Sequence, residues 1–162
     1  KEYHFTKVTK VITGGDERYD SVYNGLLAVN AHGDDIVLIH DSARANVSDK
    51  VISADIDKAK IRGAAIPALP VKDTIKVVKD GYVLDTPSRS TLYLVQTPQA
   101  FRYSDICNAY NNMRKANDTS ITDDSMVMEK YGDLKVSVVE GDYDNIKVTT
   151  PEDTLRISEL LK

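Results

Sequence analysis

The stretch Val95-Gln96-Thr97-Pro98-Gln99-Ala100-Phe101 opens on a short apolar strand that stops abruptly in polar residues. The same pattern occurs at His40-Asp41-Ser42-Ala43-Arg44 and at Asp144-Asn145-Ile146-Lys147-Val148-Thr149-Thr150-Pro151-Glu152-Asp153. Ligands bind where the strands of an open α/β sheet end, so we expect the three stretches to meet at one rim. They would bring together an acid, a guanidinium group, two amides and a lysine, which can hold phosphates and a metal ion.

The composition is that of an ordinary globular protein. The 162 residues are 41% hydrophobic and 28% charged, enough for a single domain with a core. The net charge of -4 argues against nonspecific nucleic-acid binding, because no basic surplus is available to release counterions. The single Cys107 excludes an internal disulfide and a cysteine-based zinc site, and His4, His32 and His40 lack metal-ligand spacing.

No apolar stretch approaches the length of a membrane span, and no secretory signal is present. We therefore expect a cytoplasmic protein without a membrane partner. The chain begins with Lys1 rather than Met, as a fragment or a processed product would.

The hydrophobic pattern alternates between strands and helices. The predicted strands are Val8–Thr13, Ile36–Ile39, Ala64–Leu69, Thr91–Val95, Val136–Val139 and Ile146–Val148, several of them apolar enough to be buried on both faces. The predicted helices are Asp20–Ala31, a helix capped by Ser48, Tyr103–Lys115 with Ser104 as a cap, Asp123 to Tyr131 capped by Thr122, and one from Pro151 capped by Thr150. This alternation predicts a three-layer α/β fold with a mostly parallel sheet.

One segment interrupts the alternation. Val71–Val78 and Tyr82–Thr86 flank Asp80-Gly81, which is a strong signal for a β-hairpin. The hairpin is rich in Lys and Asp and has little to bury alone, and an isolated hairpin is only marginally stable. We therefore expect residues 71–90 to form a projecting arm within a single domain, residues 1–162.

Seven motifs follow one another in an order that resembles a known family. They are Gly14-Gly15-Asp16-Glu17-Arg18-Tyr19-Asp20-Ser21-Val22, His40–Arg44, Pro70–Lys76, Arg89, Gln96–Gln99, Thr122–Asp124 and Asp144–Asp153. Over nearly its whole length the chain resembles the 2-C-methyl-D-erythritol 4-phosphate cytidylyltransferases of the non-mevalonate isoprenoid pathway. The related ribitol-5-phosphate cytidylyltransferases share most of the motifs, and Pro70–Lys76 and Asp144–Asp153 look more like the methylerythritol enzymes. The resemblance implies a nucleotide-diphospho-sugar-transferase-like (Rossmann-like) fold.

The resemblance also implies a reaction. The phosphate of the polyol substrate attacks the α-phosphorus of CTP, pyrophosphate leaves, and Mg²⁺ assists. No general base is needed, because a phosphate nucleophile is already ionised near neutral pH. The implied roles are catalysis for Lys147 and Arg89, substrate binding for Asp41, Arg44, Thr74 and Thr122, nucleotide binding for Gly15, Asp16, Arg18, Ser21 and Ser42, and metal binding for Asp41.

In the resembling enzymes the arm crosses a two-fold axis. The resemblance therefore implies a homodimer in which Arg89 and Thr74 reach the substrate phosphate of the partner subunit. An arginine fork suits a phosphate better than an ammonium group does.

Without the resemblance, the same residues have plainer interpretations. Lys147 could be a solvated lysine at a strand edge, Asp41 the start of an Asx turn, and Gly15–Ser21 a turn with a helix cap. Thr122 could serve only as a helix cap, and the arm could be merely solvated. Gln96 and Gln99 are expected to fix the turn and the sheet edge through amide hydrogen bonds, His40 to be packed and hydrogen-bonded, and Cys107 to be buried.

The chain departs from the family pattern in three places. It has Ala45 where the family usually has proline, and Ser42 where it usually has alanine. Nothing upstream of Val8 resembles the Gly-rich loop, with its arginine and lysine, that wraps the CTP triphosphate. We therefore expect residues 1–162 alone to have little activity, and a non-catalytic remnant of such an enzyme is an alternative.

Overall fold

The computed structural model describes residues 5–160, which form an α/β structure. The helices are α1 (Arg18–Ala28), α2 (Asp49–Arg62), α3 (Tyr103–Ala116), α4 (Asp124–Tyr131) and α5 (Pro151–Leu160). The strands are β1 (Ile36–Ile39), β2 (Ala64–Pro70), β3 (Val77–Lys79), β4 (Tyr82–Asp85), β5 (Tyr93–Val95), β6 (Gln99–Arg102) and β7 (Ser137–Glu140), and Arg89–Thr91 form a 3-10 turn. Within these residues no helix is long and apolar enough to cross a membrane.

The central strand of the main sheet is β2. Strand β7 pairs with one of its edges in parallel, and β5 and β6 pair with the other edge in antiparallel fashion. Strand β6 also pairs antiparallel with β1, so β1, β2 and β7 run in one direction. The predicted α/β class is confirmed. Three of the five strands share a direction, while the hydrogen-bonded pairs are mostly antiparallel because β6 lies between β1 and β2.

Strand β6 was not predicted as a separate element. It follows β5 along the same edge of β2 after an interruption at Gln96–Pro98, where the Thr97-Pro98 peptide bond is cis. The amide of Gln96 still donates to Pro67 O at 2.8 Å. The interruption therefore places polar side chains inside the sheet rather than beyond its end.

Helices cover both faces of the sheet, as predicted. Ala64 and Phe101 face a cluster that contains Leu26, Ile106, Ala109, Tyr110, Met113, Val127 and Met128 of α1, α3 and α4. Their neighbours Ala65 and Ala100 point to the opposite face and pack with Ala59 of α2. Successive strand residues alternate between faces, so this arrangement gives three layers.

The helix caps follow the sequence in part. Ser48 accepts a hydrogen bond from Val51 N and caps α2, and Thr150 accepts one from Asp153 N at the start of α5. The predicted cap Thr122 is wrong: Asp123 caps α4 by accepting from Met126 N at 3.0 Å. Ser104 does not cap α3 either, because Arg102 occupies the cap position and makes no side-chain cap bond.

Two predicted strands are absent from the described residues. Residues 8–13 lie without a strand partner beside α1, where Lys10 donates to Ala28 O and Asn24 donates to Thr13 O. Residues 146–148 make one isolated backbone bond, from Val148 N to Ala43 O. A strand needs a hydrogen-bonded neighbour, and the apolar pattern of these two segments did not show that such a neighbour was missing.

Two predicted buried strands are more exposed than expected. Strand β1 is half-buried because it lies at the end of the sheet, with β6 as its one neighbour among the described strands. The side chains of β5 are exposed, since this strand pairs only with the last three residues of β2.

The predicted hairpin is confirmed. Strands β3 and β4 pair antiparallel, and Asp80 and Gly81 connect them with φ values of 52° and 83°. Two consecutive residues with positive φ are the geometry of a type I′ turn, for which Asp-Gly is favoured. All residues of both strands are exposed, so nothing within residues 5–160 buries the arm.

Candidate active site

An open pocket of about 630 Å³ lies where the three stretches meet. Asp41 and Arg44 follow β1, Val95, Gln96, Thr97 and Gln99 come from the interruption of the sheet, and Lys147 comes from the segment before α5. Arg18 at the start of α1 and residues of α4 complete the wall. The expected convergence of the three stretches is therefore what the structure shows.

Asp41 is fixed by the turn that follows β1. Its amide donates to Thr97 Oγ1 at 3.0 Å, and its carbonyl accepts from Arg44 N at 2.9 Å. Thr97 Oγ1 is also 3.0 Å from His40 Nδ1, and His40 Nε2 is 3.1 Å from Arg44 O. His40 is hydrogen-bonded as expected, but it is exposed rather than packed.

Gln96 and Asn145 fix the segment that carries Lys147. The Gln96 amide donates to Asp142 O at 2.8 Å and accepts from Asp142 N at 3.1 Å. Asn145 is fully buried and donates to Thr97 O at 2.9 Å. A Cβ atom at Gly141 would come within 2.6 Å of Gln96 Oε1, so a larger residue there would displace the Gln96 side chain. Gln96 makes amide hydrogen bonds as expected, but they hold the segment at Asp142 rather than its own turn.

Cations surround the carboxylate of Asp41. Lys147 Nζ lies 2.9 Å from Oδ2, and Arg18 Nη2 lies 3.5 Å from Oδ1. Partial burial raises the pKa of Asp41, but the hydrogen bond and charge of Lys147, with the charges of Arg18 and Arg44, outweigh it. The net effect is a pKa below the usual range, so Asp41 is ionised at neutral pH.

Arg18 has a second and closer acidic partner. Its Nη2 lies 2.7 Å from Oδ2 of Asp124, which is fully buried at the start of α4. The other oxygen of Asp124 accepts from Tyr110 OH at 2.6 Å. Burial lowers the pKa of Arg18, but the bond and charge of Asp124 more than compensate, and the net pKa is raised.

Arg44 is bonded to backbone carbonyls. Its Nη1 donates to Asn145 O at 2.7 Å and its Nη2 to Val95 O at 3.5 Å. Burial lowers the pKa of Arg44, and the charge of Asp41, which raises it, only partly compensates. The Nε of Arg44 is buried without a partner among the described residues. Arg44 thus links the Lys147 segment to the sheet while it lines the pocket.

Four of the predicted nucleotide-binding residues lie outside the pocket lining. Gly15 and Asp16 precede α1, and Ser21 Oγ accepts from Gly15 N at 3.0 Å. A side chain at Gly15 would collide with Asp20, so the turn requires glycine. Ser42 is exposed on the turn after Asp41.

The two predicted residues of the arm are also outside the lining. Arg89 and Thr74 are both exposed, and Arg89 Nη1 donates to Lys72 O at 2.7 Å. A single chain does not bring Arg89 to the Lys147 site.

Helix α4 contributes residues that sequence reasoning missed. Thr122, a predicted substrate-binding residue, lines the pocket, and its Oγ1 is free of the capping role. The additional lining residues are Asp123, Ser125, Met126, Glu129 and Lys130. Gln99 explains their position, because it donates to Asp123 Oδ2 at 2.8 Å and accepts from Ser125 N at 2.9 Å. The Thr122–Asp124 motif was the available signal, but it did not show which residue faces the pocket.

The residues of this pocket do not fit a preformed metal site. Both carboxylate oxygens of Asp41 already pair with cations, so a divalent ion bound to Asp41 would lie beside the charges of Lys147 and Arg18. Within residues 5–160 no group of three or more His, Cys, Asp or Glu side chains could hold a metal ion.

The arrangement therefore offers positive charge to an anionic ligand. Arg18, Arg44 and Lys147 line the pocket, and the side chain of Lys147 is 47% exposed. Fixed cations in a concave site bind phosphate groups and stabilise the charge that develops during phosphoryl transfer.

Comparison with known proteins agrees with the family resemblance of the sequence motifs. The family model "IspD: 2-C-methyl-D-erythritol 4-phosphate cytidylyltransferase" matches residues 2–162. The enzyme of that name from Alkaliphilus oremlandii is 48% identical over 161 residues, which are 99% of this chain and 67% of the relative. The one from Clostridium perfringens (strain 13) is 50% identical over 158 residues, 96% of this chain and 68% of the relative. The solved Francisella tularensis structure of the same name aligns with a TM-score of 0.86 at 30% identity, over 98% of this chain and 75% of that one. The chain belongs to the 2-C-methyl-D-erythritol 4-phosphate cytidylyltransferase family.

Proposed function

We propose that the protein is a nucleotidyltransferase that transfers a cytidylyl group from CTP to 2-C-methyl-D-erythritol 4-phosphate. The products are 4-diphosphocytidyl-2-C-methyl-D-erythritol and pyrophosphate. The observation that carries the proposal is the pocket in which Arg18, Arg44 and Lys147 surround Asp41, in a chain of this family. Under this proposal the enzyme works in the cytoplasm, where CTP is available.

The proposed reaction requires charge and orientation rather than a proton acceptor. An oxygen of the substrate phosphate attacks the α-phosphorus of CTP, and the bond to the β-phosphate oxygen breaks as pyrophosphate leaves. The lysine Nζ lies in the pocket and pairs with Asp41 at 2.9 Å, so it can transfer its contact to the substrate phosphate without leaving the site. Arg44 and Thr122 line the same pocket and are the proposed contacts of the polyol phosphate.

The methylerythritol substrate is favoured over ribitol 5-phosphate because the relatives and structures that match carry its name. Pyrophosphate release by the full-length protein tests the choice. We expect release with CTP and 2-C-methyl-D-erythritol 4-phosphate, and at most slow release when ribitol 5-phosphate replaces it. Faster release with ribitol 5-phosphate would reverse the assignment, and no release with either would favour the non-catalytic remnant.

We also propose that the arm forms a homodimer. Its apolar side chains are exposed, including Val78, Tyr82, Val83 and Leu84. Such a strip needs cover, which a second copy would supply. Arg89 and Thr74 would then act in the partner's pocket, which agrees with their distance from the pocket in their own chain. A sedimentation experiment that gives a monomer at micromolar concentration would contradict this.

One prediction of the resemblance, the Mg²⁺ requirement, remains to be tested. The Mg²⁺ requirement is checked by adding EDTA and restoring the ion, although the pocket gives no support to Asp41 as its ligand.

A further inference from the structure

We propose that Asp124 is a positioning residue that holds Arg18 in the pocket wall and leaves the free N–H groups of its guanidinium group available to a bound anion, with Tyr110 fixing the carboxylate. The inference rests on the proposed function in one respect, namely that the anion is a phosphate of CTP.

The carboxylate of Asp124 is fully buried and uses both of its oxygens. Oδ1 accepts from Tyr110 OH at 2.6 Å, and Oδ2 accepts from Arg18 Nη2 at 2.7 Å. A buried carboxylate is tolerated only when it is paired and hydrogen-bonded. Arg18 therefore cannot move away without leaving an uncompensated negative charge in the core.

Tyr110 keeps Asp124 in place. The tyrosine is itself fully buried, and burial and the nearby Asp124 raise its pKa, so that its hydroxyl remains protonated and donates. Its ring stacks with that of Tyr23 at a centroid distance of 6.1 Å. Asp124 is thus connected through α3 to α1, the helix that carries Arg18.

The contacts of Arg18 leave part of its guanidinium group unused. Both the Asp124 contact at 2.7 Å and the longer Asp41 contact at 3.5 Å use Nη2. Within residues 5–160 no partner is found for Nη1 or Nε, and the side chain is 37% exposed in the pocket lining. The free N–H groups of a guanidinium group donate to phosphate oxygens. Asp124 therefore holds Arg18 in the pocket lining with N–H groups left for an anion.

Three variants of the full-length protein test the proposal. Asp124→Asn keeps the shape and removes the charge, and Tyr110→Phe removes only the hydroxyl. Asp20→Asn is the matched control, because Asp20 accepts from Arg114 Nη1 at 2.6 Å outside the pocket. The substrate-free readout is the NMR signal of the Arg18 guanidinium group, assigned with Arg18→Lys. We expect slow rotation of this group in the wild type and in Asp20→Asn, and fast rotation in Asp124→Asn.

Calorimetry with CTP gives the second readout. We expect Kd to rise about tenfold in Asp124→Asn, about threefold in Tyr110→Phe, and not at all in Asp20→Asn. In an Arg18→Gln background, Asp124→Asn should cause no further loss, because its effect acts through the arginine.

The outcomes separate this proposal from the proposed function. Unchanged rotation of the Arg18 guanidinium group in Asp124→Asn, or a full additional loss in the Arg18→Gln background, would overturn the positioning role. A wild-type protein that binds no CTP would overturn the proposed function, while the NMR measurement would still decide the role of Asp124. If Asp124→Asn fails to fold, Tyr110→Phe provides both readouts.

Discussion

Lys147 and Asp41 form an ion pair in the pocket, with Nζ 2.9 Å from Oδ2. The two residues are far apart in the sequence. The backbone bond from Val148 N to Ala43 O holds their two segments together. Asp41 is fixed by Thr97 and lies 16% exposed, whereas the lysine side chain is 47% exposed. The lysine can therefore exchange its partner for a substrate phosphate while Asp41 stays in position.

Lys147→Ala should lower kcat/KM by about 100-fold, because one charged contact to a transition state contributes on the order of 3 kcal/mol. Pyrophosphate release measures the rate, and circular dichroism shows whether the fold is retained. Lys50→Ala is the matched control, since Lys50 is an exposed lysine of α2 away from the pocket. A Lys147→Ala enzyme within threefold of the control would return this residue to the role of a solvated lysine.

Arg89→Ala should inactivate the enzyme, yet its activity should return when it is mixed with Lys147→Ala. In a hybrid dimer with exchanged arms, one pocket has both its own Lys147 and the partner's Arg89 intact. Random mixing of equal amounts then restores about a quarter of the wild-type sites. If subunits demonstrably exchange and activity does not return, the arm does not reach the partner's pocket.

Asp55 should make stability fall as the pH rises from about 4 to 8. Its carboxylate is fully buried in α2, and neither oxygen has a hydrogen-bond partner among the described residues. Burial raises its pKa to about 8, while the unfolded chain titrates near 4. The folded state binds the extra proton in this range, so stability is fully present at the acid end and is lost toward pH 8.

Asp55→Asn should remove this slope, as measured by urea unfolding at several pH values between 5 and 8. The control is Asp57→Asn, on the same helix, where the carboxylate is exposed and lies 3.6 Å from Lys60 Nζ. Equal slopes in Asp55→Asn and the wild type would show that Asp55 does not titrate in this range.

Gln96→Met should reduce both stability and turnover. The substitution keeps the length of the side chain but leaves Asp142 N and O without the bonds that now hold the Lys147 segment. Two such losses should cost about 2 to 4 kcal/mol in the free energy of unfolding. Denaturant unfolding and pyrophosphate release at a temperature where the variant is folded separate the two effects, and a rate equal to the wild type would contradict a role in placing Lys147.

The sequence predicted the features that depend on local pattern. The ends of β1 and β2, the Asp80-Gly81 turn and the Ser48 cap each follow from a few adjacent residues. Strand β6 was missed because its four residues, Gln99–Arg102, are too few to show a period of two. Residues 8–13 have strand-like composition, but pairing depends on a neighbour that local pattern does not specify.

Site residues that belong to a sequence motif could be predicted, whereas residues that join the site only through tertiary contacts could not. The polar residues that follow apolar runs predicted that Asp41, Arg44 and Lys147 share one rim, whereas their roles rest on the family resemblance. Asp124 was not found, because its partners Arg18 and Tyr110 come from two other helices. Thr122 and Asp123 are both good capping residues, and which of them caps α4 depends on the residue at which the helix begins.

Phosphorus NMR of the reaction products tests the central claim most directly. The full-length protein is incubated with CTP, 2-C-methyl-D-erythritol 4-phosphate and Mg²⁺, and with Lys147→Ala in parallel. We predict two mutually coupled diphosphate signals of a cytidine diphosphate ester, together with one equivalent of free pyrophosphate, and an about 100-fold slower appearance of both with the variant. Unchanged CTP in the wild-type reaction, or cleavage of CTP to CDP and inorganic phosphate, would contradict the account.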